Sequence, residues 1–196
     1  LTHDDSFDYM YDNAGRLAQI QTSGTQVGRY AYDATALRVY RKEDHGKEVL
    51  YFRDPDGNVL SQFSRPAGTT LTPQWDRDFV YLAGMRVSMI EEPLPSAVSW
   101  KITQSQLNKI SLQWYANPEV DIYGYLVLRK RPGDSSFKAL YAGPSAITTT
   151  STTYLDTGAD IGGLVAGTTY VYQIVPVDSA GNQGAASSER PITFRD

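Results

Sequence analysis

The chain has 196 residues, a net charge of −4 at pH 7 and no cysteine. This length suits one or two domains that each bury a core. The charge lies in the first half: up to Glu92 there are 10 Lys and Arg against 14 Asp and Glu, and from Pro93 onward 8 against 8. No basic patch is present that would favour nucleic-acid binding, and no apolar run approaches the ~18 residues of a membrane-spanning helix.

The cysteine-free composition excludes disulfides and thiolate metal sites but leaves secretion open. Tyrosine is abundant, with 14 residues, and together with many Thr and Gly residues it favours strands over helices. The sequence starts at Leu1 rather than at Met and carries no signal peptide. We therefore expect a fragment or a processed product of a longer protein.

The first half of the sequence is repetitive. Asp12, Asp33 and Asp54 follow one another at intervals of 21 residues, and each lies in a similar segment. The four related segments are YMYDNAGRL from Tyr9, YAYDATALRV from Tyr30, YFRDPDGNVL from Tyr51 and FVYLAGMRV from Phe79. Three segments in phase indicate a true internal repeat.

The residues of each unit predict a β-hairpin. Aromatic residues at alternate positions, such as Tyr9 and Tyr11, place both rings on one face of a strand. Asp12 can accept a hydrogen bond from the backbone two residues on, and Gly15 can adopt a positive φ, so the segment between them predicts a tight turn. Because one hairpin is not stable alone in water, we expect the hairpins to join into a curved sheet.

Segments of the form YxYDxxGRL at this interval resemble the YD repeats of the rearrangement-hotspot (Rhs) family, over about residues 7–90. The resemblance implies a spiralling β-sheet of a bacterial extracellular or cell-surface protein, which in complete relatives closes around a toxin or cargo polypeptide. FVYLAGMRV is similar to the segment that precedes the terminal core of the family, but that core and its self-cleavage residues do not follow here, so autoproteolysis is not expected.

Individual units depart from the family pattern. Ala36 stands where Gly is expected, Arg53 replaces the second Tyr, and Leu82 replaces Asp. Gly84 is expected to take the place of Gly15 and Gly57 in the last unit. The insertion from Arg65 to Pro73 is rich in Pro, Gly and Thr, and it predicts a longer loop.

The linker Glu91–Pro95 separates the first domain, predicted over residues 1–92, from a second over residues 93–196. Short alternating runs and turns at intervals of about 8–15 residues predict a β-sandwich there. Three sets of residues are each expected to share one face of a strand: Ile110, Leu112 and Trp114; Tyr123, Tyr125 and Val127; Tyr170, Tyr172 and Ile174. Hairpin turns are predicted at residues 134–136 and 180–182.

From about residue 95 to the end, the order of these landmarks resembles a fibronectin type III domain, and the run VDSAGNQG from Val177 is similar to the form common in bacterial modules. Trp114 stands where that family has its core tryptophan at the end of the second strand, and residues 122–130 are similar to the third strand. LVAGTTY from Leu164 resembles the family's corner, in which the hydroxyl of the tyrosine, here Tyr170, bonds back to the chain. Pro176 departs from the pattern, and we expect a bulge or an unpaired position there because proline lacks an N–H.

Few residues are candidates for chemistry. His3 and His45 have no organised partners in the sequence and are interpreted as turn or terminal residues. Residues 54–58, Asp-Pro-Asp-Gly-Asn, lack the register and the distal Glu of a calcium loop and are interpreted as a turn. Trp75 could contact a sugar, but packing over a hairpin is the favoured interpretation. No phosphate loop, serine elbow or metal-spaced cluster is found, so we expect no enzyme activity, no cofactor and no metal.

The sequence thus predicts an all-β chain in which a short array of YD-type hairpins joins a fibronectin type III sandwich. The favoured hypothesis is a non-catalytic structural module whose exposed sheet edges pair with other copies of the chain or with further repeats, as in a fibre or sheath. The alternatives are a module that binds glycans or a host surface, with carbohydrate as the partner, and a fragment of a toxin-encapsulating shell.

Overall fold

The structure is a computed structural model that describes residues 2–3, 6–141, 145, 147–159 and 162–195, with backbone only for Thr2 and His3. The described chain is built of strands and turns, so the predicted all-β class is confirmed. The chain divides into two compact units. One comprises Leu1–Pro93 with Ser179–Gly181, and the other comprises Leu94–Asp178 with Asn182–Asp196.

The first unit contains one antiparallel sheet of nine strands, in which each strand pairs with the next one along the chain. The strands are β1 (Thr2–His3), β2 (Asp8–Tyr11), β3 (Leu17–Thr22), β4 (Thr25–Tyr32), β5 (Arg38–Glu43), β6 (Lys47–Arg53), β7 (Val59–Pro66), β8 (Gln74–Leu82) and β9 (Met85–Glu91). Such a meander contains only local connections, which the turn residues of the sequence encode.

The aspartates of the first three repeats each open a five-residue loop of the same geometry. The Asp N–H donates to the carbonyl oxygen four residues on, at 2.8 Å, 3.0 Å and 3.0 Å for Asp12, Asp33 and Asp54. The Asp Oδ1 accepts the N–H of that same residue, at 2.9 Å, 3.0 Å and 2.8 Å. The residue three positions on has a positive φ in every case, 74° at Gly15, 65° at Ala36 and 89° at Gly57.

The turn of the fourth unit differs, and the predicted equivalence of Gly84 with Gly15 and Gly57 is wrong. Leu82 pairs directly with Met85, so Ala83 and Gly84 alone form the turn, with φ values of 50° and 77°. Because Leu82 has no side-chain oxygen to accept the backbone N–H groups, the five-residue loop has no cap, and the chain uses a two-residue hairpin turn instead.

The predicted long loop is shorter than the insertion. Arg65 and Pro66 still belong to β7, and residues 67–73 alone connect β7 to β8. The Arg65 Nη1 donates to the Leu71 carbonyl at 2.6 Å, and the Thr69 hydroxyl donates to the Pro66 carbonyl at 2.8 Å. These bonds hold the connection against the end of β7.

The second unit is a sandwich of two antiparallel sheets. Its strands are β10 (Trp100–Gln106), β11 (Lys109–Trp114), β12 (Ile122–Lys130), β13 (Lys138–Ala139), β14 (Thr153–Asp156), β15 (Thr169–Asp178) and β16 (Arg190–Thr193). One sheet has the order β10-β11-β14 and the other β13-β12-β15-β16. Crossing connections between two such sheets define an immunoglobulin-like architecture of the kind that fibronectin type III domains share.

The core lies between these two sheets. The predicted inward residues of β11 and β15 are all buried there: Ile110, Leu112, Trp114, Tyr170, Tyr172 and Ile174. On β12 the prediction is partly wrong, since Tyr125 and Val127 face this core but Tyr123 packs against a second cluster with Leu126 and Val175. A register shift between Ile122 and Gly124 inverts the alternation of the strand, which places Tyr123 on the opposite face.

Two further predictions concern β15. The backbone N–H of Val165 donates to the Tyr170 hydroxyl at 2.8 Å, which forms the corner that the family resemblance implies. Pro176 causes no bulge: it pairs in register with Tyr125, whose own N–H donates to the Thr149 carbonyl at 2.8 Å. Tyr125 and Pro176 therefore form a pair that exchanges no hydrogen bond, and the missing proline donor leaves no partner unsatisfied.

Candidate interaction surface

The sheet of the first unit has almost no apolar core of its own. Within residues 6–93, the buried hydrophobic side chains are those of Val49 and Ala67, whereas both core clusters found in the described part of the chain lie in the sandwich. Contacts between side chains of neighbouring strands must therefore provide the stability that a buried core provides in other domains. Many side chains on both faces of this sheet are partly exposed to solvent.

One face of the sheet carries arginine side chains stacked on aromatic rings. The guanidinium carbon of Arg16 lies 4.9 Å from the centroid of the Tyr32 ring, so an arginine of the first repeat contacts a tyrosine of the second. Arg38 lies 5.8 Å from the Tyr30 ring and 5.5 Å from the Tyr51 ring. Contacts of this kind contribute about 0.5–1 kcal/mol at exposed sites. We call this series, with Arg86 described below, the arginine ladder.

The other face carries an ion cluster around Glu48. Its carboxylate lies 2.7 Å from the Arg65 guanidinium and 3.3 Å from the Lys42 ammonium, and these three side chains belong to neighbouring strands. Burial alone would raise the pKa of Glu48, but the hydrogen bonds and charges of Arg65 and Lys42 outweigh it and hold the pKa below its usual value. Glu48 therefore stays ionised and ties three strands together.

Strand β9 forms one edge of the nine-stranded sheet, and the two-residue strand β1 forms the other. In the described part of the chain β9 pairs with β8 only, and all seven of its residues are exposed. Its apolar side chains are well accessible, with Met85 68%, Val87 55% and Ile90 57% exposed. An edge strand presents unpaired N–H and C=O groups to solvent, and an apolar edge of this length is a template for another strand.

The sequence predicts exposed edges but does not show which residues form them. Arg86 on β9 lies 5.4 Å from the centroid of the Phe79 ring, and so it belongs to the arginine ladder. The signal is present in the sequence, because an arginine ends the first turn, as Arg16, or follows the turn, as Arg38 and Arg86. The repeated tyrosines and aspartates do not by themselves indicate that arginine side chains stack on the aromatic rings.

His45 and the calcium-like segment are placed as turn residues, whereas His3 lies in strand β1, where it pairs with Asp8. His45 has a φ of 50° in the turn between β5 and β6, and its Nδ1 lies 3.0 Å from the carboxylate of Asp44. The side chain of His3 lies outside the described residues. Both carboxylate oxygens of Asp54 accept hydrogen bonds from Asn58, at 2.8 Å from its N–H and 2.9 Å from its amide, as a turn requires.

Trp75 is half-buried on β8 and pairs with Phe63 of β7. Hydrogen bonds, first from the Ser61 hydroxyl and then from the Trp75 side chain, lower the pKa of Asp78. The position of Trp75 opposite Phe63 within the sheet supports the packing interpretation of its ring.

No family model matches this chain, and no curated protein matches it. Solved structures do resemble part of it. An Fn3-like protein from Clostridium thermocellum is 25% identical over 53% of this chain and 94% of that one, with a TM-score of 0.37. The twitchin kinase region from C. elegans is 17% identical over 53% of this chain and 17% of that one, with a TM-score of 0.39.

The spore cortex lytic enzyme SleM of Clostridium perfringens is 22% identical over 61% of this chain, with a TM-score of 0.38. The chain spans only 39% of SleM and 17% of the twitchin region. The sandwich has a fibronectin-type-III-like fold by its two sheets and their strand order. Similarity at these scores has no bearing on activity. Among the described residues, no helix is long and apolar enough to cross a membrane.

Proposed function

We propose that this chain is a non-catalytic structural module of a secreted or cell-surface bacterial protein, and that it assembles by strand addition at the free edge β9. The observation that carries the proposal is the exposure of the whole of β9 at the end of a nine-stranded sheet. The YD-type repeat supports it, since each internal hairpin of the sheet already uses the equivalent edge to bind the next hairpin.

Natural proteins protect edge strands with charged side chains, proline, bulges or short length. Strand β9 has seven residues, no proline and three apolar side chains that are more than half exposed, those of Met85, Val87 and Ile90. Its charged residues are Arg86, which stacks on Phe79, and Glu91, whose carboxylate lies 3.6 Å from the Arg77 guanidinium. Both charges are engaged within the sheet. The register shift of β9, between Arg86 and Ser88, matches that of β5, which still pairs with β6 beyond the shift. The edge is therefore weakly protected against pairing.

Light scattering on the purified chain over a concentration series tests the proposal. The expected result is a mass that rises above the 21.7 kDa of one chain, with regular assemblies visible by negative-stain microscopy. Val87→Lys is expected to abolish the rise, because a lysine on the edge opposes pairing. Ser135→Lys, in a loop of the sandwich, is the matched control and should assemble like the parent. A mass that stays at 21.7 kDa at all concentrations would refute self-assembly.

A further inference from the structure

We infer that β9 selects an incoming strand that carries an aromatic residue, which stacks on Arg86. This inference rests on the proposed use of β9 as an edge for strand addition and specifies the chemistry of the strand that β9 prefers. The two edge strands of this chain, β1 and β9, contain no Phe, Tyr or Trp, so the preferred strand is that of a further repeat of the same kind, and a second copy that pairs at β9 does so without this stacking contact. The partner is an extended segment with an apolar residue opposite Met89 and an aromatic residue two positions further toward its C-terminus. Strand β5 is the equivalent strand of an internal hairpin, and its contacts with β6 show what β9 would bind.

Strands β5 and β9 are equivalent in register. Each is the second strand of its hairpin and carries an arginine near its start. That arginine pairs with the last tyrosine of the first strand: Arg38 with Tyr32, and Arg86 with Tyr81. A register shift comes directly after that pair in both hairpins. The next pairs correspond as well, because Met89 faces Phe79 as Arg41 faces Tyr30.

Arg38 shows what the internal arginine does. It contacts the ring of its own hairpin, Tyr30, and the ring of the next hairpin, Tyr51, at 5.8 Å and 5.5 Å. Arg86 contacts the ring of its own hairpin, Phe79, at 5.4 Å, and the described chain supplies it with no second ring. The contact that Tyr51 makes with Arg38 therefore has no counterpart at Arg86, and an aromatic residue of an added strand would complete it.

The register of the added strand follows from β6. Val49 of β6 pairs with Arg41, and Tyr51 stands two residues later on the same face of that strand. Transferred to β9, the residue equivalent to Val49 lies opposite Met89, and the residue equivalent to Tyr51 reaches Arg86. An added strand in this register would repeat at β9 the pairing that the sheet already contains between β5 and β6.

One residue of β9 differs in chemistry from its equivalent in β5, and this difference further specifies the sequence of the preferred partner strand. Lys42 of β5 pairs with Glu48 of β6, with 3.3 Å between ammonium and carboxylate. The equivalent of Lys42 on β9 is Ile90, which is 57% exposed. A carboxylate opposite Ile90 would lose its solvation without gaining a partner. The preferred strand therefore has an uncharged residue at the place of Glu48.

The test is binding of a labelled peptide with the β6 sequence, residues 46–54, to the intact chain, followed by fluorescence anisotropy below the concentration at which the chain associates. The peptide with Tyr51→Ala and the chain with Arg86→Ala should each bind about two- to fivefold more weakly than the parent pair. The peptide with Glu48→Leu should bind more tightly. Equal binding by the parent and Tyr51→Ala peptides would overturn the inference.

Cysteine pairing tests the register, since the chain has no cysteine. The chain with Met89→Cys should form a disulfide with the peptide that carries Val49→Cys. It should not do so with the peptide that carries Leu50→Cys, whose side chain points to the opposite face. Preferential pairing with Leu50→Cys would overturn the register.

The two proposals fail separately. A chain that associates with itself but shows no binding of the β6 peptide retains the proposed assembly and refutes the aromatic selection. A chain that stays monomeric but binds the peptide through Arg86 refutes self-assembly and retains the selection. Circular dichroism of the Arg86→Ala variant checks that the sheet is intact, so that lost binding reports on the arginine itself.

Discussion

Arg129 and Asp156 form an ion pair of 2.7 Å that connects the two sheets of the sandwich, with side chains only 1% and 0% exposed. Arg129 lies on β12 and Asp156 at the end of β14, so the pair bridges the core. The same carboxylate accepts hydrogen bonds from the Tyr172 hydroxyl and the Gly158 N–H, each at 2.7 Å. A buried pair with this many partners fixes how the two sheets face each other.

Asp156→Ala is expected to destabilise the sandwich by about 3–5 kcal/mol, because it leaves the Arg129 guanidinium buried without its carboxylate. Urea unfolding followed by tryptophan fluorescence measures the change. Tyr172→Phe removes one hydrogen bond to the charged carboxylate and should cost less, about 1.5–3 kcal/mol. The combined replacement Arg129→Met with Asp156→Leu should be milder than Asp156→Ala alone. An Asp156→Ala variant as stable as the parent would contradict a structural role for the pair.

Ala36→Gly is expected to stabilise the first unit by about 1 kcal/mol, because Ala36 holds a φ of 65° that an L side chain adopts at a cost. Gly15→Ala, at the same place in the first repeat, should cost a similar amount. A Cβ at Gly15 would meet nothing within 4 Å, so backbone strain alone is measured there. Thermal unfolding followed by tyrosine signals gives both values, and shifts of the same sign for the two variants would contradict the account.

Acid should destabilise the first unit through its repeated turns. The pKa of Asp12 is lowered mainly by the backbone N–H of Arg16, and that of Asp33 mainly by the Thr35 hydroxyl. Stability from groups with depressed pKa is present above the ordinary value of 3.8 and is lost as the pH falls through the folded pKa. Hydrogen exchange of residues 12–16 and 33–37 at pH 5 and pH 3 measures the loss, and unchanged protection would contradict it.

Alkali should act on the sandwich instead. Burial, reinforced by the nearby Asp156 carboxylate, raises the pKa of Tyr172 far above its ordinary value of 10.0. The stability from this group is fully present below the unfolded pKa near 10 and is lost as the pH rises beyond it. Thermal unfolding of the sandwich between pH 8 and pH 11 checks the prediction. The Tyr172→Phe variant should lose less stability over this range, and an equal loss would contradict the assignment.

Local chemistry explains why much of the fold could be predicted from the sequence. The buried tyrosines of β15 alternate, Trp114 ends β11, and Asp12 caps its loop through contacts within four residues. The predictions for Tyr123 and Pro176 differ from the structure because a register shift or a neighbouring strand determines the direction of the side chain or the hydrogen bonding there. Tyr123 faces away from the expected core because of the bulge on β12, and Pro176 is tolerated because its partner Tyr125 bonds elsewhere.

The candidate surface was harder to predict, since it depends on contacts between repeats. The sequence indicates exposed edges in general, but the position of β9 at the edge and the stacking of Arg38 between two rings depend on the strand order and register. Likewise, the pairing of Arg129 with Asp156 joins residues 27 positions apart on different sheets. No short motif encodes such a contact.

The most direct measurement is hydrogen exchange of residues 85–91 as the chain concentration rises. In the monomer, half of the β9 amide groups face solvent along the free edge and should exchange quickly. Assembly through this edge predicts that their exchange slows in step with the increase in mass, while that of β6, inside the sheet, stays unchanged. A growing mass with unaltered exchange of β9 would show that another surface joins the chains and would contradict the account.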